Sequence, residues 1–256
     1  MKINLNNKMC IIGAIKTKHG FQIFKQLDLK IKTKIFSPEI RSGKAGKYLA
    51  FSRENITGIW AGMNEHGLTF TAADADCKKD FPFSNQDKKK LFNFYEKIVA
   101  DFSNLQDAEK FICEKFKNDF HIADILAIGN KEKFILFKFH PPQICERHEI
   151  SNHALFCTNH FQETKNLSLN LTSEKNSSTF LRLKTVQKLF AKNKKIEEIL
   201  QNHENGPSEK SICRHGKNGQ FFTQACVIFK IEEKLTAKFI LNSTTCQGKF
   251  EKILLK

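Results

Sequence analysis

Arginine is scarce in this chain. Arg41, Arg53, Arg147, Arg182 and Arg214 are the only ones among 42 basic residues, and two tyrosines stand against 25 phenylalanines. A skew toward lysine, phenylalanine, asparagine and isoleucine fits an AT-rich coding sequence, which weakens the nucleic-acid reading that a net charge of +15 invites. The lysines are scattered rather than striped, and the sequence has no zinc-finger, RNP or glycine-rich nucleotide motif. Such charge reads as a solvated surface with some attraction for anionic substrates, and no specific nucleic-acid partner is expected. No run approaches the roughly 18–20 apolar residues of a membrane span. The stretch "CIIGAI" is too short for a signal-peptide core and residues 1–9 are polar. The expected setting is therefore soluble and cytoplasmic.

The eight cysteines include no Cys-x-x-Cys pair, so reduced thiols are expected. Two Cys-x-x-His steps, Cys145/His148 and Cys157/His160, lack the second knuckle of a zinc site, and neither metal nor cofactor is expected.

Hydropathy patterning predicts strands at residues 10–16 and 21–28 around the turn "TKHG", then at 58–64 and 67–74 joined at Glu65–His66–Gly67. Helical spacing follows over residues 88–101 and 105–118, with Asn104 as N-cap of the second. A hairpin at 123–130 and 133–140 precedes a strand at 153–159 and a polar loop at 161–177. Helices at about 178–191 and 195–203 lead into a hairpin about Glu232–Glu233 and a short terminal strand. Nothing resembles a linker, and hairpin-joined strands argue for helices covering antiparallel sheets rather than a parallel Rossmann-type sheet. The expected class is α+β in a single domain from residue 10 to 256.

The position of Cys10 poses the functional question. Its ordinary role is a small buried hydrophobe. If the first hairpin pivots near Lys18–His19, partners sum to about 38, placing Cys10 opposite Asp28 with Lys25 slightly behind. An ammonium and a carboxylate beside a thiol suit an activated thiolate; equally, Lys25 and Asp28 could form a plain surface ion pair.

Met9–Cys10, "IFKQLD", "MNEHGLTFTAAD", "CTNHF" and "ICRHG" occur in that order along nearly the whole chain. Together they resemble the choloylglycine hydrolase and penicillin acyltransferase superfamily of N-terminal nucleophile hydrolases. The similarity is greatest to its acyl-CoA:6-aminopenicillanate acyltransferase (C45-like) branch. The resemblance implies a four-layer αββα sandwich of two antiparallel sheets between helices. It implies removal of residues 1–9, by self-cleavage or by start-site choice, at the Met9–Cys10 junction. Cys10 is then the nucleophile, its α-amine the base, and a thioester acyl-enzyme the intermediate in hydrolysis of a linear amide or acyl transfer. By the same resemblance Asp28 holds the amine, Asn159 donates to the oxyanion, and Arg214 supports the charge arrangement.

Two positions depart from the pattern. Lys25 stands where the family carries arginine, and lysine lacks the planar fork. Asp74 stands where bile-salt hydrolases carry asparagine, leaving only its backbone N–H as an oxyanion donor. His160 and His215 adjoin motif residues and are expected to serve structural hydrogen bonds. Phe81, Phe83 and Phe161 lie in loops from which relatives build acyl pockets, though packing is the commoner use of such residues. The implied partner is a small amide or acyl donor with an apolar acyl part, and a homo-oligomer is consistent with the family. Two other readings stay open: a catalytically inactive member acting as a binding module, and a basic nucleic-acid-binding protein.

Overall fold

Most of the strands are buried on both faces, while the helices bury a stripe of period 3.6. The computed structural model describes residues 8–77, 85–120, 122–140, 143–170, 174, 177–204, 206–217 and 219–255. Six strands come first: β1 (Lys8–Lys16), β2 (Phe21–Leu29), β3 (Glu39–Gly43), β4 (Gly46–Phe51), β5 (Ala61–Asn64) and β6 (Thr69–Asp74). Helices α1 (Asn85–Asp101) and α2 (Leu105–Asn118) follow. Then come β7 (Asp124–Gly129), β8 (Phe134–His140), β9 (Gln143–Ile150) and β10 (Ala154–Cys157). A 3-10 turn at Thr164–Leu169 interrupts the expected polar loop. Helices α3 (Ser178–Ala191) and α4 (Ile196–Leu200) precede β11 (Phe222–Ile231), β12 (Leu235–Leu241) and β13 (Glu251–Leu254).

The strands form two sheets, ordered β10-β1-β2-β11-β12-β13 and β3-β4-β5-β6-β7-β8-β9. Every pairing is antiparallel. The sheets pack face to face through β1 and β2 against β6; α1 and α2 cover the seven-stranded sheet, and α3 lies against β10 of the other. One apolar cluster fills the space between the sheets and runs out under α1 and α2. A second, built from Ile11, Phe24, Ile228 and the buried stripe Leu183, Val186 and Leu189, lies under α3 and α4. The result is the expected four-layer αββα sandwich. Asn104 caps α2 as expected, its side-chain oxygen accepting from the Asp107 N–H at 2.9 Å. Among the described residues no helix is long and apolar enough to cross a membrane.

Two details of the first hairpin correct the sequence reading. Strand β1 begins at Lys8, so the Met9–Cys10 peptide lies inside a paired strand rather than ahead of one. The Thr17 N–H donates to the Gly20 carbonyl at 2.9 Å, closing a two-residue loop at Lys18–His19. Partners therefore sum to 37: Cys10 pairs with Leu27, and Asp28 with Met9. A one-residue shift moves a side chain to the opposite face of the sheet. Asp28 thus faces the helix layer instead of lying beside the thiol, whereas Lys25 stays on the thiol's face.

Candidate active site

Cys10 is fully buried and turns toward the space between the sheets, in the same cluster as Ile12 and Leu27. Burial pushes its thiol above the usual range; Lys25 opposes that shift, while Asp28 and Asp74 add to it. The Asp28 backbone N–H also opposes the shift, more weakly.

Lys25, 3% exposed, donates to the carbonyls of Trp60, at 3.2 Å, and Ala72. It therefore bridges the two sheets, with its Nζ 5.4 Å from the Trp60 ring centroid. Burial pulls the ammonium down, and the charges of Cys10, Asp74 and Asp124 hold it up. A point charge on two carbonyls stands at this position rather than a planar fork.

On the other face of the hairpin lies a buried network the sequence reading did not foresee. Asp28 accepts from Arg182 Nη1 at 3.1 Å and from the Thr223 hydroxyl at 2.8 Å, with Arg214 Nη1 at 3.9 Å. Asp28, Arg182 and Arg214 are all at most 1% exposed. Burial raises the Asp28 carboxyl against the pull of Arg182 and then Arg214. Burial and the neighbouring Arg182 draw Arg214 down to about 9, which leaves it charged at neutral pH.

Asn159 joins this network to Cys10. Its Oδ1 accepts from the Cys10 N–H at 2.9 Å and from Arg182 Nη2 at 3.1 Å, while its Nδ2 donates to the Asp74 carbonyl at 2.7 Å. Its own N–H donates to Thr179 Oγ1 at 3.1 Å, which fixes the turn after β10 against α3.

The structure therefore gathers Cys10, Lys25, Asp28, Asp74, Asn159 and Arg214 in one place, on two faces of one hairpin. Arg214 reaches it through Asp28 and through the Thr223 hydroxyl, which accepts from the Arg214 backbone N–H at 2.9 Å. Met9 is half-buried beside Asp28's backbone. Asp74 offers its carbonyl to Asn159.

Two arginines that the sequence reading left unassigned belong here. Arg182 occupies a helix position between Thr179 and Val186, on the buried stripe of α3. Arg53, 7% exposed, feels the charges of Asp74 and Cys10. The signal was available: three of the five arginines in a lysine-dominated chain line this site, where a rigid fork does what an ammonium cannot.

His160 is held structurally, as expected. Its Nδ1 lies 3.0 Å from the hydroxyls of both Thr158 and Thr179, and its ring lies 4.0 Å from that of Phe180. Burial, with Lys138 and Arg182, lowers it to about 3. Phe161 is buried against Asn170 and His140, while Phe81 and Phe83 lie outside the described residues.

The sequence profile of the acyl-coenzyme A:6-aminopenicillanic acid acyl-transferase family matches residues 42–245. That span contains Asp74, Asn159, Arg182 and Arg214 but not Cys10 or Asp28. Among solved structures, the chain is similar to the Caenorhabditis elegans ortholog of N-acylethanolamine-hydrolyzing acid amidase. The TM-score is 0.54 at 10% identity, over 96% of this chain and 100% of that one. Penicillin V acylase from Agrobacterium tumefaciens gives a TM-score of 0.55 at 13% identity, over 96% of this chain and 86% of that one. Identities this low speak for the fold alone. No curated protein matches the sequence.

Proposed function

The chain belongs to the acyl-coenzyme A:6-aminopenicillanic acid acyl-transferase family, and from that premise we propose that it is an N-terminal-cysteine enzyme that hydrolyses or forms a linear amide. The observation that carries the reading is the Cys10 backbone nitrogen, 2.9 Å from Asn159 Oδ1 and one residue removed from the Asp28–Arg182 pair.

Activation begins with the Cys10 sulfur attacking the Met9 carbonyl. The C–N bond breaks, the nitrogen keeps its electrons and gains the thiol proton, and water then hydrolyses the thioester. Residues 1–9 leave with a new carboxylate, and Cys10 keeps a free thiol and a free α-amine. That amine replaces the amide N–H at the same place, where the Asn159 oxygen holds one of its hydrogens. An α-amine with an unperturbed pKa of about 7.7–8.0 suits a base near neutral pH.

In turnover the amine takes the thiol proton and the sulfur bonds to the substrate carbonyl. The proton passes to the leaving amine as the C–N bond breaks, giving an acyl thioester. Water or a second amine then takes the acyl group. The Asn159 carboxamide nitrogen has two hydrogens; one goes to the Asp74 carbonyl and we assign the other to the oxyanion. Such a donor contributes about 3–4 kcal/mol to transition-state stabilisation. Asp28 acts through Arg182, which shares the Asn159 oxygen and keeps it turned toward the amine. An apolar acyl part suits the inter-sheet cluster that surrounds the thiol.

Intact mass and N-terminal sequencing test the proposal directly. The active protein should start at Cys10, and Cys10→Ala should keep residues 1–9. Incubation with a panel of N-acyl amines should add an acyl group to Cys10. A fully active chain that retains residues 1–9 would refute the mechanism. A processed chain that takes no acyl group would be an inactive binding module.

A further inference from the structure

Four side chains at the end of the molecule that carries Arg214 take no part in the chemistry above. His203 follows α4, Cys213 and His215 flank Arg214, and Cys246 lies between β12 and β13. One ligand atom from each lies within 4.8 Å of the other three. His203 Nε2 is 2.9 Å from His215 Nε2, which is 3.2 Å from Cys246 Sγ and 3.7 Å from Cys213 Sγ. Tetrahedral zinc, with bonds of about 2.0–2.1 Å to nitrogen and about 2.3 Å to sulfur, separates two nitrogens by about 3.3 Å and nitrogen from sulfur by about 3.6 Å. The three measured edges come within about 0.4 Å of those values. Two imidazole Nε2 atoms that face one another can share a single hydrogen, whereas a cation takes both lone pairs.

We infer that His203, Cys213, His215 and Cys246 form a closed zinc(II) site. Two thiolates and two imidazoles in a tetrahedral arrangement are a donor set that selects zinc. Binding displaces the two thiol protons to solvent. With four protein ligands, no coordination position is left for water or substrate, so the ion is structural. It ties the segment after α4 to the β12–β13 loop, and its ligands on either side of Arg214 pin that residue's backbone. Outer contacts support the ligands. The Cys213 N–H donates to the Asn202 carbonyl at 3.2 Å, the His215 N–H to the Ser208 carbonyl at 3.0 Å, and the Thr244 hydroxyl is 3.5 Å from Cys246 Sγ.

The ligand spacing has no knuckle, so it is invisible in the sequence. The two Cys-x-x-His pairs that do look like knuckles are otherwise engaged. Cys157 Sγ bonds the Thr158 carbonyl, and His148 faces Glu146 at 3.4 Å and Glu163 at 3.9 Å.

The test uses the full chain, purified after growth with zinc. Metal analysis should find a single zinc per chain, and cobalt(II) exchange should give tetrahedral ligand-field bands with a thiolate-to-cobalt charge-transfer band. Cys246→Ser and His203→Ala should each reduce zinc to background, while Cys145→Ser keeps it. Should those variants fold poorly, alkylation of the parent chain gives the same answer: zinc should protect Cys246, and a chelator should expose it. The inference is overturned if the parent takes up neither metal. It is equally overturned if both ligand variants fold and retain zinc, if alkylation of Cys246 is indifferent to the chelator, or if Cys213 and Cys246 are joined in a disulfide that makes the chain two hydrogens lighter.

Discussion

Replacing Arg182 by methionine is the sharpest probe of the charge network under the hairpin. The change removes two charge-assisted hydrogen bonds, to Asp28 Oδ2 and Asn159 Oδ1, each 3.1 Å long. Such bonds contribute about 1.5–3 kcal/mol each. Asp28 would keep the Thr223 hydroxyl at 2.8 Å, the guanidinium of Arg214 at 3.9 Å and a weaker pull from the Gln26 side chain. Methionine returns part of the loss as apolar filling. The net cost expected is about 3–5 kcal/mol, the range for stranding one member of a buried pair. The sign with pH follows from Asp28. Burial already raises its folded-state pKa, and losing Arg182 raises it further. A folded state that binds more protons than the unfolded one loses stability as pH climbs past the unfolded value of about 3.9. The deficit should therefore be larger at about pH 7 than at about pH 4.5. Urea unfolding at both pH values measures it, and adding Asp28→Asn to Arg182→Met should recover part of the stability at neutral pH. A loss under about 1 kcal/mol at pH 7, or one that does not change with pH, would refute the reasoning.

The buried Lys138–Glu146 pair, 2.7 Å apart, gives an independent pH signature. Burial would raise Glu146, but His148, Lys138 and the Glu163 N–H outweigh it and hold the group at about 2. The stability this supplies is complete above the ordinary value of 4.5 and is lost as pH falls toward about 2. Glu146→Gln should flatten that part of a stability-against-pH curve; an unchanged acid limb would contradict the assignment. At Gly13, an added Cβ would sit 2.5 Å from the Leu155 carbonyl oxygen and 2.8 Å from the Phe24 ring. Gly13→Ala should push β1 away from β10 and cost about 1–3 kcal/mol, read as a lower Tm.

The helices were legible because they bury on a regular period, and the strands because they are short apolar runs between turns. Residues 105–118 and 178–191 match α2 and α3, and the strand–helix order gave the layers. Strands β3, β4 and β9 escaped the sequence reading, β3 and β9 for a physical reason. Strand β3 is an exposed edge with no buried face to print a pattern. In β9, Ile144 is 38% exposed while Glu146 is 1% exposed, because Lys138 on β8 neutralises it, so hydropathy reads the strand inside out.

Motif order drew attention to Cys10, Asp28 and Asn159, which the structure brings together, but not to which way Cys10 and Asp28 face. That depends on whether the turn loop holds two residues or three, a choice the composition of "TKHG" leaves open. Arg182 lay hidden as a charged residue on an apolar helical stripe, where pattern alone predicts leucine.

The hairpin of β1 and β2 acts as a bulkhead. On one side are the sulfur, Lys25 and the inter-sheet hydrophobes; on the other are Asp28, Thr223 and the two arginines. Among the described residues, the Asn159 carboxamide reaches both compartments, through the Cys10 nitrogen. The apolar volume beside the sulfur can therefore be altered, in drift or by design, as long as Lys25 keeps its two carbonyl partners. Changes on the helix side cannot be made one residue at a time. The two halves of the site are open to change at very different rates.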